Sequence, residues 1–166
     1  MNVWYMNLKD DRDAENRNSD DELKFRICIE KSILAIGWGF NANFEDWSEY
    51  KTLADDYYKD DKDDKAYSAA VNGLTKMQKD DLVWLKNPVS HERYLAQIVD
   101  DAPSMCCCLK DFDIYSCRKA SIIKISPELL KQFDLQGKKD YGRHTIEQVR
   151  EQPIIDGTVK LFDSIK

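Results

Sequence analysis

A chain of 166 residues, 42% hydrophobic and 34% charged, is long enough to form one domain with a real core, needing neither disulfides nor a structural metal. Its longest apolar runs, such as Ile33 to Ile36, are far too short to cross a membrane, and Met1-Asn-Val-Trp-Tyr5 lacks a basic segment followed by an apolar one. These features predict a soluble cytoplasmic domain. The net charge of −6 is uneven: residues 1–85 hold 12 basic and 19 acidic side chains, or −7, and residues 86–166 hold 13 and 12, or +1. A tight, sequence-independent nucleic-acid binder does not look like this, so any such role needs a local basic face and a specific pocket.

Asn2 to Leu8 reads as a first strand, with Val3, Tyr5 and Asn7 on one face and Trp4, Met6 and Leu8 on the other. Lys9 to Asn18 is a charged loop. Ser19 or Asp20 caps a helix over Asp21 to Glu30 whose Leu23 and Ile27 meet the core. A second strand, Ile33 to Ile36, stops at Gly37-Trp38-Gly39, where glycines allow positive φ or close approach and deliver one large ring to a turn. Asp46 to Tyr58 has helical spacing with Trp47, Tyr50 and Tyr57 or Tyr58 on a broad face. The acidic run Asp55 to Lys65 is a solvated loop, and Lys65 to Lys76 forms a helix along Ala66, Ala69, Ala70 and Leu74.

Asp81 to Lys86 and Arg93 to Val99 alternate cleanly and form a hairpin across Asn87-Pro88-Val89-Ser90. Cys106 to Leu109 is a candidate short strand, and Asp113 to Cys117 and Ala120 to Ile125 are two more. Ser126-Pro127-Glu128 opens a helix with Pro at its first position. A further helix is expected at His144 to Arg150, capped by Thr145. The pattern weakens after Arg150, giving a single domain over 1–150 and a tail or linker over 151–166. Together these elements predict an α+β fold: a curved, mostly antiparallel sheet or open barrel of five to six strands with flanking helices.

Five cysteines, at 28, 106, 107, 108 and 117, are odd in number, and three are adjacent. That is not a disulfide framework, and three consecutive strand residues face alternate sides, so they do not converge on zinc. No metal or cofactor is expected. Nor is catalysis: His91 and His144 lack nucleophile or metal spacing, no glycine loop cradles phosphate, and Asp111, Asp113 and Lys124 only superficially resemble a nuclease set.

The order Val3-Trp-Tyr-Met-Asn7, Ile36-Gly-Trp38, Asp80 to Leu85 and Tyr94 to Val99 resembles the PUA-like superfamily, within it the EVE and YTH group of modified-base readers. Ser116 to Ile125 followed by Gly142 to Val149 is similar to the end of bacterial EVE-like domains that precede restriction nucleases. The resemblance spans about Asn2 to Arg150. It implies an aromatic pocket that accepts one flipped, methylated base, in DNA more than RNA, with Trp38 as one wall and Asn7 reading the base edge. The stretch matching the family's second aromatic, Asp100 to Cys108, has none; Trp47 or Tyr115 would replace it, with Gly39 and Trp84 completing the candidate set. Phosphate contacts would come from Lys110, Arg118, Lys119, Lys138, Lys139 and Arg143.

The implied role is a non-catalytic specificity module of a modification-dependent restriction system, partnered by an effector nuclease domain or subunit. Each residue also has a structural reading: Trp38, Trp4 and Trp84 as core, Trp47 as a helix face, Asn7 as a strand-end partner. Two other functions stay open. One is an acidic interaction or inhibitor protein that mimics nucleic acid, and the other a pocket for a free nucleotide or small planar ligand.

Overall fold

The computed structural model describes residues 1–8, 17–40, 44, 46–59, 64–112, 114–136 and 145–166. Of the expected loop from Lys9 to Asn18 and of the acidic run, residues 9–16 and 60–63 lie outside these residues. Arg17 and Asn18 open a helix, and the run expected as a solvated loop is helical at Asp55 to Tyr58 and at Asp64 and Lys65. The described residues form seven strands: β1 (Val3–Met6), β2 (Ile33–Ile36), β3 (Leu82–Lys86), β4 (Arg93–Ile98), β5 (Ser104–Met105), β6 (Ser116–Ile125) and β7 (Ile146–Gln148). Six of them line up in the order β2-β6-β4-β3-β1-β7, and β5 pairs with β6. The result is a mixed, mostly antiparallel, curled half-barrel sheet, as the alternating patterns predict.

Alternation assigns the two faces. Trp4, Met6, Val83, Leu85, Ala96 and Ile98 point into the larger core, which is covered by α1 (Arg17–Glu30), α2 (Trp47–Tyr58) and α3 (Asp64–Lys76). Val3, Leu82, Trp84, Leu95 and Ile125 point the other way, against α4 (Pro127–Gln132) and α5 (Gln152–Ile165). The period of two is thus resolved into two separate cores. Capping follows the sequence: the Asp46 carboxylate accepts from Glu49 N–H at 2.9 Å, and the Ser126 hydroxyl accepts from Leu129 N–H at 3.3 Å.

Three expectations are corrected. The stretch expected to be a helix after His144 is β7 instead, because Trp4 and Met6 offer an open ladder edge to Gln148 and Ile146. Residues 151–166 are not a loose tail: α5 buries Ile154, Thr158, Leu161 and Phe162 against the second face, an apolar stripe at helical spacing. Asp113 to Cys117 and Ala120 to Ile125 are not two strands. Ser116 to Ile125 runs unbroken, pairing β2 along Ser116 to Lys119 and β4 along Ala120 to Ile125.

Along the other edge of β6, β4 and β5 act as one strand interrupted at Asp100. There the carboxylate stands in for a backbone acceptor, taking Lys119 N–H at 2.7 Å and Arg118 Nε–H at 2.6 Å. Arg118 is fully buried, and it also donates to the carbonyls of Asp100, Leu74 and Met77. One guanidinium therefore ties the sheet break to carbonyls at and just beyond the C-terminal end of α3, where the last turn of a helix offers acceptors.

The cysteines also depart from expectation. Cys106 and Cys117 form a disulfide with Cα atoms 6.5 Å apart, joining the end of β5 to β6. An odd count with adjacent residues concealed this pair, because the pairing depends on a strand break that the sequence does not announce. Cys28 is a buried free thiol in the larger core. No helix among the described residues is long and apolar enough to cross a membrane.

Candidate functional site

The site is built where β2 ends. Ile33 to Ile36 are all buried, so the chain must leave the core abruptly, and it does so with Trp38 at φ 69°. The left-handed region costs a residue with a side chain about 1–2 kcal/mol. Among the described residues the other non-glycine residues there are Ser32, Asp80, His91 and Asp134, all small or polar next to a tryptophan. Two tyrosines of α2 hold the backbone in place. Tyr50 Oη donates to the Trp38 carbonyl at 2.9 Å, and Tyr58 Oη donates to the Gly39 carbonyl at 3.0 Å. At about 1 kcal/mol each, these bonds offset the backbone cost before any ring contact is counted.

The rings form a continuous network. Trp38 meets Tyr58 edge-on at 5.6 Å and Tyr67 at 5.9 Å, and Tyr58 and Tyr67 stack on one another at 4.6 Å. Phe40 stacks on Tyr57 at 5.1 Å, and that tyrosine is 60% exposed. Trp38, Gly39 and Phe40 are themselves half-buried, so aromatic surface reaches solvent at this turn. Such clusters bury large areas while leaving rings in offset or edge-on geometry suited to a further ring.

Electrostatically the site is acidic. Tyr67 Oη donates to Asp55 at 3.0 Å, and Asp55 also receives Lys51 at 2.5 Å. Burial, then the Asp55 hydrogen bond, raise the Tyr67 hydroxyl above its ordinary range, so it stays a donor. Among the described residues no group of three or more His, Cys, Asp or Glu side chains is placed to hold a metal.

The candidate residues distribute unevenly about Trp38. Tyr115 is brought in: its N–H donates to the Ile36 carbonyl at 3.1 Å, and its ring occupies the space beside Gly39. Trp47 stands one ring further out, packed on Tyr50 at 5.5 Å. Trp84 is removed to the second face, 3% exposed, donating Nε1–H to Thr158 Oγ1 at 3.0 Å. A residue two positions from the start of a strand must follow that strand's alternation, and Trp84 falls on the α5 side.

Asn7 is half-buried and donates its N–H to the Thr145 carbonyl at 2.8 Å. The ladders set the end of β1 level with Lys124 and the end of β2 level with Ser116, at opposite ends of β6. What links the two regions is α3, whose Tyr67 packs on Trp38 and whose Gly73 lies against Ile146, the partner of Met6.

Of the basic residues, Lys119 is exposed, whereas Arg118 is fully buried with its donors engaged and cannot meet a phosphate. Lys110 belongs to the 3-10 helix Cys107–Phe112, and its side chain lies outside the described residues. So do Lys138, Lys139 and Arg143 altogether. In the superficial carboxylate–lysine set, Asp113 lies outside as well, and Lys124 is ion-paired with Glu92 at the surface.

Sequence reasoning missed Tyr67 and left Tyr58 undecided against Tyr57. The signal for Tyr67 was present: Tyr67, Ala70, Val71 and Leu74 are the buried i, i+3, i+4, i+7 stripe of α3. Compared with protein-family models, with curated proteins and with solved structures, the chain matches none.

Proposed function

We propose that this chain is a non-catalytic reader of a single methylated base, a PUA-like domain of the EVE type serving as the DNA-specificity module of a modification-dependent restriction system. The observation that carries the reading is Trp38 held in left-handed backbone conformation by two tyrosine hydroxyls, half-buried inside an aromatic network. Backbone strain that the surroundings over-determine concentrates at ligand sites. A flipped base costs a few kcal/mol to extrude, and stacking on an aromatic face returns about 1–3 kcal/mol. In this reading Tyr115 supplies the opposite wall, the buried Tyr58 and Tyr67 back the Trp38 ring, and Lys119 gives a phosphate contact.

Titration of methylated and unmethylated oligonucleotides at low salt tests it. Binding should favour the methylated strand and weaken at least tenfold in Trp38→Ala, as loss of about 1–3 kcal/mol of stacking requires. Absence of binding, or binding indifferent to Trp38→Ala, would overturn the proposal. A second reading, an acidic inhibitor or nucleic-acid mimic, is favoured by the negative charge of α2 and the segment after it. Charge reversal across Asp60 to Asp64 separates the two. It abolishes partner binding by a mimic and leaves or improves base binding by a reader.

A further inference from the structure

We infer that the Cys106–Cys117 bridge is a redox switch for the Trp38 turn: intact, it holds Tyr115 against Gly39, and reduced, it releases that wall of the site. The inference rests on the reading above for what the site binds, while the switch itself is a property of the turn.

Tyr115 links the bridge to the turn. Cys106 N–H donates to the Tyr115 carbonyl at 2.9 Å, and the other half of the bridge, Cys117, stands just beyond Tyr115 on β6. On its far side Tyr115 N–H donates to the carbonyl of Ile36, the last residue of β2 before the turn, and its ring fills the space beside Gly39. The disulfide thus braces one side of a segment whose ring meets the Trp38 turn. Little else braces that side. β5 is two residues long and, among the described residues, pairs only with β6, through Ser104 opposite Cys117 and Met105 opposite Ser116. A ladder that short is marginal without a further tether.

The two sulfurs differ in access, which gives reduction a direction. Cys106 is half-buried, whereas Cys117 is 3% exposed. Bridges within reach of external thiols are the labile and regulatory ones, and exchange begins at the sulfur that can be attacked. A thiolate of the glutathione class attacks Cys106 Sγ, the S–S bond breaks, and Cys117 leaves as a thiolate. Ser104 Oγ, 3.6 Å from Cys117 Sγ, is placed to donate to it. A second such thiolate attacks the external sulfur of the mixed disulfide and releases Cys106 as a thiolate. The external thiols end as their own disulfide, and the protons they gave up end on the two cysteines.

The test uses the full chain, oxidised and then treated with reduced glutathione, at a temperature below the melting transition of both forms. Trp4 and Trp84 are 5% and 3% exposed, so Trp47→Phe leaves Trp38 as the tryptophan open to acrylamide. Quenching of its fluorescence should increase on reduction. Affinity for a methylated oligonucleotide should fall about five-fold or more, the low end of what losing one stacking wall costs. Cys117→Ala removes the bridge whichever of Cys106, Cys107 and Cys108 would supply the other sulfur. It should show the reduced values with and without glutathione, and circular dichroism checks that it is folded.

If glutathione leaves the bridge intact in the folded chain, as read by mass after alkylation, the inference is overturned. It is also overturned if reduction is complete and either the quenching or the affinity is unchanged, and the base-reader proposal then stands. If no oligonucleotide binds in either form, increased quenching on reduction upholds the switch and overturns the reader alone, and unchanged quenching overturns both.

Discussion

The ring of Tyr115 fills the space in which a side chain at Gly39 would stand. A Cβ built there lies 1.8 Å from Tyr115 Cζ and 2.3 Å from its hydroxyl oxygen. Glycine at this position is thus a packing requirement that locks the turn after β2 against the strand entering β6. Gly39→Ala should destabilise by about 1–3 kcal/mol through overpacking. Tyr115→Ala in the same chain should recover part of that loss. Urea unfolding of the single and double variants measures the coupling, and strictly additive effects would show that the two residues do not share this space.

Arg118 and Lys119 are neighbours with opposite fates. Arg118→Met leaves the half-buried Asp100 carboxylate with Lys119 N–H but no counter-charge, and takes a donor from the Leu74 and Met77 carbonyls, at a cost of about 3 kcal/mol or more. Lys119→Ala, on the exposed side of β6, should change stability by less than about 0.5 kcal/mol. Paired denaturation curves check this, and a mild Arg118 phenotype would contradict the buried network.

Trp84 is predicted to matter for stability and not for ligand binding. Thr158→Val removes the acceptor of its indole N–H, which at this depth costs about 1–3 kcal/mol. Oligonucleotide affinity should be unchanged in that variant. A parallel loss of affinity would return Trp84 to the binding site.

The Cys106–Cys117 bridge closes a short loop, of sequence separation 11. Reduction should lower stability by about 2–3 kcal/mol, or roughly 5–10 °C in Tm for a chain of this size. In Cys106→Ser the reductant should have no effect. Melting curves with and without a phosphine reductant give the answer.

Alkaline stability follows from Cys28. Burial pushes its thiol from 9.0 to about 12, so the folded state holds the proton more tightly than the unfolded chain does. Stability from this group is complete below pH 9 and is lost as pH rises from about 9 to about 12, by on the order of a few kcal/mol. Cys28→Ala should flatten that part of the stability curve, measured by urea midpoints at stepped pH.

Sequence reasoning reached the sheet because alternation is local. Val3/Tyr5 against Trp4/Met6, and the hairpin of β3 and β4, announce their faces in a few residues. It failed where identity depends on a distant partner. Ile146 to Gln148 is too short for its period to distinguish strand from helix, and only the open edge of β1 decides. Arg118 reads as a surface cation until Asp100 and the end of α3 close around it. For the site, Gly37-Trp38-Gly39 was legible as a turn presenting a ring. Tyr58 and Tyr67 were not legible as neighbours of Trp38, because packing between α2 and α3 brings them there.

The position of β1 has a consequence for how the chain comes together during synthesis. It precedes the other described strands in the sequence, yet it lies between β3 and β7, with Val3 opposite Leu82 and Trp4 opposite Gln148. Neither neighbour exists until the chain has been made as far as Lys86 and then as far as Gln148. Such long-range pairing is slow because loop closure precedes its reward, and Trp4 and Met6 stay available to wrong partners meanwhile. Ribosome-stalled lengths ending shortly before Ile146 should therefore be the most dependent on chaperones.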